Sequence, residues 1–344
     1  MDRRHAIVTG AAGFIGGACV RDLLTSGWDV TALVHKRFPD NLSDLPESPN
    51  LRFAQSSITN SDSLLCGIEK AVAESSSPYN ALIHCAGRAS DVGREEEFRQ
   101  ANLHGVENIC KAVKQLSIDR LVHLSTTDVY GVADHRKIDE KAPLQDNRRN
   151  SYPKYKILAE QAIQKSLPAQ AYTILRPALV WGPGDTTVLP RALEFLRSSP
   201  YIVHFGRWRG ENNWPLAYVG NVARIARVAA SSPLAAGEIY NVADAEQTTM
   251  DGYYRILIDH FLPGMSRKRR LCLPFWIGWL IGSISSGLSD RLNRTQPIFD
   301  PSLYSLHHIS HSQSFDITRA ADLLASAGLS FIDRETALRD LKNS

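Results

Sequence analysis

The feature that most constrains this chain is the spacing Gly10-x-x-Gly13-x-x-Gly16, set between a short apolar run, His5–Thr9, and a helical pattern over Phe14–Ser26. In a strand–turn–helix unit each glycine has its own task. Gly10 permits the tight turn, Gly13 lets the backbone approach a pyrophosphate, and Gly16 lets the helix pack closely on the strand. The first N–H groups of that helix then face an anion. Ala12, Phe14 and Ile15 complete the turn and join the predicted cofactor contacts.

The pattern continues as alternating strands and helices. Further strands are predicted over Asp29–Val34, Leu51–Ala54, Ala81–His84, Arg120–Leu124 and Tyr172–Leu175. Helices are predicted over Glu95–Leu116 and Tyr152–Ser166. This alternation predicts an α/β fold with a doubly wound, Rossmann-type parallel sheet, which binds ligands at the carboxyl ends of its strands. Residues 1–180 are expected to form the dinucleotide-binding domain. Residues 181–344 are expected to form a smaller, mostly helical substrate module, with elements near 214–242 returning to the first domain.

Composition removes several alternatives. Of 344 residues, 43% are hydrophobic and 22% charged, a profile that argues against disorder. The net charge of +3 and the absence of a long basic tract speak against a nucleic-acid partner. The five cysteines are Cys19, Cys66, Cys85, Cys110 and Cys272, an odd number with no CxxC pair, as expected in a reducing cytoplasm. Arg3 and Arg4 ahead of an apolar run resemble a secretory leader. The glycines of that run are already explained by the turn.

Cofactor choice rests on the end of the second predicted strand. An acid there would bind the adenosine ribose of NAD. The chain instead reads Val34-His35-Lys36-Arg37. Nothing acidic repels a 2′-phosphate, so NADP(H) is expected, with NAD(H) as the alternative.

The catalytic pattern is Tyr152-x-x-x-Lys156. On a helix the two share a face. A phenol titrates near pH 10, and a neighbouring ammonium favours its ionised form. The pair is thus expected to relay a proton to or from a carbonyl or alcohol oxygen. Ser125, Thr126 and Thr127 follow a predicted strand, so their hydroxyls are expected at its carboxyl edge beside the cofactor, where a hydroxyl can hold the same oxygen.

Together these segments resemble the extended short-chain dehydrogenase/reductase superfamily over nearly the whole chain. His84-Cys85-Ala86-Gly87, Asn102-x-x-Gly105-x-x-Asn108 and Arg176-Pro177-Ala178-Leu179-Val180 agree with it. Within it, Gly182–Pro190, Tyr218–Ala223 and Ser314–Arg319 are similar to the 3β-hydroxysteroid dehydrogenases and related β-keto/hydroxy-acid reductases. The resemblance implies Thr126, Tyr152 and Lys156 as catalytic residues of an oxidoreductase. It implies Ser57, Ile58, Ala86, Gly87, Asn102, Ser125, Pro177 and Val180 as cofactor contacts, beside Gly10–Gly16, His35–Arg37, Tyr152 and Lys156. It also implies that Lys156 holds the nicotinamide ribose, and a homodimer.

Two other functions share the fold. One is a nucleotide-sugar epimerase, dehydratase or reductase: a dehydratase would be expected to carry an acid at Thr127, and sugar-nucleotide enzymes generally an arginine at Trp214, for which Arg207 and Arg209 lie near enough to substitute. A non-catalytic NADP-sensing protein would be expected to lose the Tyr–Lys pair, which this chain keeps.

Five of six tryptophans follow residue 180. Trp181, Trp208, Trp214, Trp276 and Trp279, with Tyr218, Phe275 and the Leu273–Ile284 segment, are expected to line an apolar pocket for a small-molecule substrate, sterol-like or long-chain. The run over 271–288 is too short to span a bilayer. It follows Arg267, Lys268, Arg269 and Arg270, so it reads either as a helix covering the pocket or as a peripheral membrane contact. His307, His308 and His311 lack a convincing further ligand, and no metal is expected.

Overall fold

The computed structural model describes residues 4–35, 42, 48–145, 150–265, 268–292, 294 and 296–343. The strands are β1 (His5–Thr9), β2 (Asp29–Val34), β3 (Leu51–Gln55), β4 (Asn80–His84), β5 (Arg120–Leu124), β6 (His135–Ile138), β7 (Tyr172–Pro177), β8 (Leu179–Trp181), β9 (Tyr201–Phe205), β10 (Leu216–Tyr218), β11 (Ile239–Val242), β12 (Arg269–Leu273) and β13 (Gln313–Phe315). The helices are α1 (Phe14–Thr25), α2 (Ser61–Ala73), α3 (Glu95–Phe98), α4 (Gly105–Gln115), α5 (Ser151–Ser166), α6 (Val188–Ser198), α7 (Val219–Ser231), α8 (Met250–Phe261), α9 (Phe275–Arg291), α10 (Leu303–Ser310), α11 (Thr318–Ser326) and α12 (Arg334–Asn343).

Seven strands form one parallel sheet in the order β11-β7-β5-β4-β1-β2-β3. β1, β2, β5 and β7 are buried along their whole length. That is why these segments read as near-continuous apolar runs and not as alternating ones. Helices cover both faces, giving the Rossmann-type α/β fold. One buried cluster packs α1, α7 and α11 on the sheet, and a second packs α2, α4 and α5. β11 joins the sheet beside β7, and α7 packs along α1.

A third core lies beyond the sheet. It joins Trp181, Leu196, Ile202, Trp214, Tyr218, Tyr254 and Leu257 under α6, α8 and α12. The pairs β8–β10, β9–β12 and β6–β13 are all parallel. Each needs a long crossover, so residues far apart in sequence are brought together here.

The helix expected over 95–116 runs unbroken over 95–115 but widens in its middle. α3 and α4 are joined by a π-helical turn, Arg99–His104. Within it Asn102 is buried and bonds both main-chain groups of Arg88, with Oδ1 accepting from N at 2.7 Å and Nδ2 donating to O at 2.9 Å. Such insertions let a helix shift register to place a side chain.

Candidate active site

The site forms at the carboxyl ends of β1, β4, β5 and β7. Gly10 adopts φ +68°, and a Cβ there would lie 2.7 Å from Ala86 N. A Cβ on Gly16 would lie 2.1 Å from Gly10 O. Gly13 starts α1 with no side-chain cap. Ala12 and Gly13 are exposed, while Phe14 and Ile15 are half-buried. The result is a bare backbone cradle at a helix N-terminus, closed on one side by Ala86. This is the arrangement that accepts a dinucleotide pyrophosphate, so the residues present fit the group.

The cradle continues into the catalytic residues. A Cβ on Gly87 would sit 3.7 Å from Lys156 Nζ and 2.9 Å from Asn102 Oδ1. Asn102 thus supports the Gly87–Arg88 backbone that separates cradle from lysine. Lys156 is buried on α5 and donates to Leu124 O at 2.7 Å. Burial pushes its ammonium down to about 8, partly offset by Cys85 and Glu160.

Tyr152 lies one turn earlier, with its N–H capped by Asn150 Oδ1 at 2.9 Å. Its hydroxyl is hydrogen-bonded to the Thr126 side chain. Burial raises the phenol well above its ordinary value, the Asp128 charge raises it further, and the Thr126 bond opposes both. The sequence reading expected Lys156 to depress this phenol. In the structure Lys156 Nζ stands 5.9 Å from the Tyr152 ring centre, and its proton goes to a carbonyl. At Tyr152 desolvation is the largest effect, with the Thr126 hydrogen bond opposing it.

The other predicted contacts fall in different places. Ser125 is buried and donates to Glu160, not toward the strand ends. Ser57 Oγ pairs with Thr59 at 3.1 Å. Ile58 O accepts from Asn108 Nδ2 at 2.9 Å, and its side chain packs against Gly105. Pro177 ends β7, and Val180 pairs with Ala217 in the short β8–β10 sheet. His35 is exposed just after β2, where its C=O accepts from Gln55 Nε2 at 3.2 Å. Lys36 and Arg37 lie outside the described residues.

Tyr304 escaped the sequence reading, and His308 was weighed there only as a metal ligand. Tyr304 on α10 donates to Asp128 Oδ2, and His308 Nε2 lies 3.8 Å from Asp128 Oδ1. Burial and the Asp128 charge hold the Tyr304 phenol well above its ordinary value, and the nearby Tyr152 adds to this. No local signal marks them, because α10 meets the strand ends only through the tertiary fold. The histidines predicted to hold no metal diverge: His307 and His311 stack at 5.9 Å beside Phe275, while His308 turns to Asp128.

The predicted aromatic pocket is divided. Trp181 and Trp214 are core residues. Trp208 donates to Asp134 at 3.0 Å. Trp276 and Trp279 point outward, 65% and 49% exposed. They do not line an interior pocket, because α9 turns its small residues inward.

Comparison with known proteins agrees with this geometry. A 2-alkyl-3-oxoalkanoate reductase of Shewanella oneidensis is 27% identical over 99% of this chain and 86% of its own. A 3-beta-hydroxysteroid dehydrogenase of Mycolicibacterium neoaurum is 27% identical over 90% of this chain and 84% of its own. Among solved structures, dTDP-glucose 4,6-dehydratase from Bacillus anthracis in complex with NAD superposes with a TM-score of 0.71 at 17% identity, covering 99% and 96% of the two chains. The profile of the NAD dependent epimerase/dehydratase family matches residues 6–243. With its glycine cradle, parallel sheet and Tyr–Lys helix, the chain belongs to that family, as an NAD(P)-dependent enzyme of the short-chain dehydrogenase/reductase type.

Proposed function

We propose that this enzyme interconverts a ketone and a secondary alcohol on a bulky, mostly apolar substrate, sterol-like or long-chain β-keto, with NADP(H) as cofactor. The observation that carries this reading is the Thr126–Tyr152 hydroxyl pair, with Lys156 one turn along α5 beside the Gly87 backbone. When bound, the nicotinamide supplies or accepts the hydride.

This chain's residues do the rest. The Gly10–Gly16 cradle holds the pyrophosphate, and His35 with Lys36 and Arg37 meets the 2′-phosphate. Thr126 and Tyr152 both hydrogen-bond the substrate oxygen. Tyr152 gives that oxygen its proton in reduction and takes it back in oxidation. Lys156 holds the nicotinamide ribose.

The apolar substrate class is supported by the names of the sequence relatives above. It is also supported by Trp214, buried where a sugar-nucleotide enzyme would be expected to place a diphosphate-binding arginine. Of the two arginines nearby, Arg207 is engaged with Asp134.

The test is a pair of fluorescence titrations with NADPH and NADH, followed by turnover assays. Tight NADPH binding and reduction of 2-alkyl-3-keto acids or 3-ketosteroids are expected. Preference for NADH would overturn the cofactor assignment. Turnover of UDP- or dTDP-sugars with none of apolar ketones would overturn the substrate class.

A further inference from the structure

α9 is built inside out. Its buried residues are small: Gly278, Gly282, Ser285 and Ser289. A Cβ on Gly278 would meet Leu306 Cδ1 at 2.6 Å and Phe205 Cδ1 at 2.7 Å, and one on Gly282 would meet Leu303 N at 3.0 Å. These residues let α10 and the chain before it come into close contact. Ser289 Oγ accepts from Ile298 N at 3.0 Å, and Ser286 Oγ accepts from Leu303 N at 3.0 Å. The inner face is therefore complete.

Phe275, Ile277 and Ile281 are half-buried, while five large apolar residues of α9 face away from the protein. Trp276, Trp279, Leu280, Ile284 and Leu288 are between 41% and 65% exposed. Their spacing of three, four and eight places them on one helical face. Leu271 before the helix and Leu292 after it are also exposed. A contiguous apolar face of this kind marks an interaction surface. Arg269 lies exposed ahead of α9, and Arg291 and Arg294 lie exposed at its far end.

We propose that this face of α9 docks on an anionic lipid surface, lying in the plane of the bilayer interface. Tryptophan rings sit at the headgroup level, and the leucines and isoleucine enter the acyl boundary. The arginines at both ends meet lipid phosphates, each adding to the attraction. Among the described residues no helix is long and apolar enough to cross a membrane, and the inner face of α9 is committed to protein. The helix therefore lies on the bilayer and does not span it.

A second copy of the chain fits this face less well. Antiparallel two-fold pairing of α9 would set Arg269 of each copy against Arg291 and Arg294 of the other, two like charges beside the one opposite charge of the exposed Asp290. An anionic surface removes that conflict. Docking also bears on the site, because α10, which carries Tyr304 and His308, packs directly on α9. A substrate dissolved in the bilayer would thus meet the enzyme on the helix pair that reaches Asp128. The lipid contact itself does not depend on the substrate class.

The test is co-sedimentation of the full-length protein with phosphatidylcholine vesicles containing about 30 mol % phosphatidylglycerol. Binding is expected to fall about tenfold or more in the Trp276→Glu/Ile284→Glu variant, and to weaken in Arg269→Glu/Arg294→Glu and at high salt. These positions are exposed, so cofactor affinity and Tm should stay close to those of the parent protein and serve as the folding control. No binding by the parent protein would overturn the proposal, as would binding unchanged by Trp276→Glu/Ile284→Glu. A concentration-dependent dimer in sedimentation velocity, lost in that variant and with no vesicle binding, would assign the face to a second copy and overturn it too.

Discussion

Glu160 on α5 and Arg176 on β7 form a two-point ion pair sealed inside the protein. Arg176 Nη2 donates to Glu160 Oε2 at 2.6 Å and Nε to Oε1 at 3.0 Å, with side-chain exposures of 3% and 1%. The carboxylate also accepts from Ser125 Oγ, next to Thr126. The guanidinium reaches on to Tyr130 Oη at 2.8 Å and Glu140 O at 3.2 Å. One network therefore ties the helix carrying Tyr152 and Lys156 to the loop carrying Thr126. Glu160 lies one turn beyond Lys156, so the pair sets the height of the catalytic helix against the strand ends.

Breaking that pair on one side leaves an uncompensated buried charge. Arg176→Met is expected to lose about 3–5 kcal/mol of stability, and Glu160→Met/Arg176→Met to recover a substantial part of it. Denaturant unfolding of the two variants checks this. Equal loss in both would mean the pair contributes through shape alone.

The glycines of the cradle separate folding from binding. Gly16→Ala would place a Cβ 2.1 Å from Gly10 O, against the backbone of the Gly10–Ala11 peptide with no flexible side chain to yield. It is expected to lower Tm sharply. A Cβ on Gly13 would meet Gly10 O at 3.1 Å. Gly13→Ala is expected to keep most of the stability and to lose about tenfold or more in dinucleotide affinity, because the Cβ stands where the pyrophosphate approaches. Calorimetric melting and cofactor titration on both proteins make the comparison.

Catalysis assigned to the hydroxyl pair gives a graded series. Tyr152→Phe is expected to lower kcat by about 10²–10⁴ with cofactor binding retained. Thr126→Ser keeps the hydroxyl and should retain most activity, whereas Thr126→Ala should not. Near-normal turnover by Tyr152→Phe would remove it from the mechanism.

Tyr304, which sequence reading passed over, gives a separate check. Its hydroxyl serves Asp128, whose charge bears on Tyr152. Tyr304→Phe leaves a half-buried carboxylate one donor short, a change of roughly 1–2 kcal/mol. A fall in kcat/KM of about tenfold, with unchanged cofactor affinity, is the expected result. Unchanged kinetics would make α10 a bystander.

Acid should weaken the fold through the sheet histidines. Burial, with a smaller contribution from Lys156, pushes His84 down to about 3, and His123, stacked on it at 5.4 Å, shifts the same way. Between the ordinary value near 6.5 and that depressed value, the unfolded chain binds a proton that the folded one does not. Stability therefore falls as pH drops through this window, by up to about 1.4 kcal/mol per pH unit for each such histidine. His84→Asn is expected to show a shallower decline from pH 6.5 to 4, measured by urea unfolding at each pH.

Much of the fold was legible because its signals are local. β1, β2 and β5 run as read from their apolar runs, and α1 and α5 begin within a residue of expectation. β7 runs two residues further than expected, to Pro177, because β11 pairs with it as far as that residue. The π-helical turn was not legible. It answers to Asn102 bonding Arg88, a contact between segments that neither segment announces alone.

What the amino-acid sequence determined by itself is the dinucleotide cradle and the Tyr152–Lys156 helix. Both are set by spacing along one strand–turn–helix or one helical face, where covalent neighbours fix the geometry. Only the tertiary structure decided where Lys156 sends its proton, that Tyr304 and His308 reach Asp128, and which face of α9 turns outward. Those depend on how closely separate elements approach. At α9 the approach is set by Gly278 and Gly282, whose missing side chains let α10 in and leave Trp276, Trp279, Leu280, Ile284 and Leu288 to the surface.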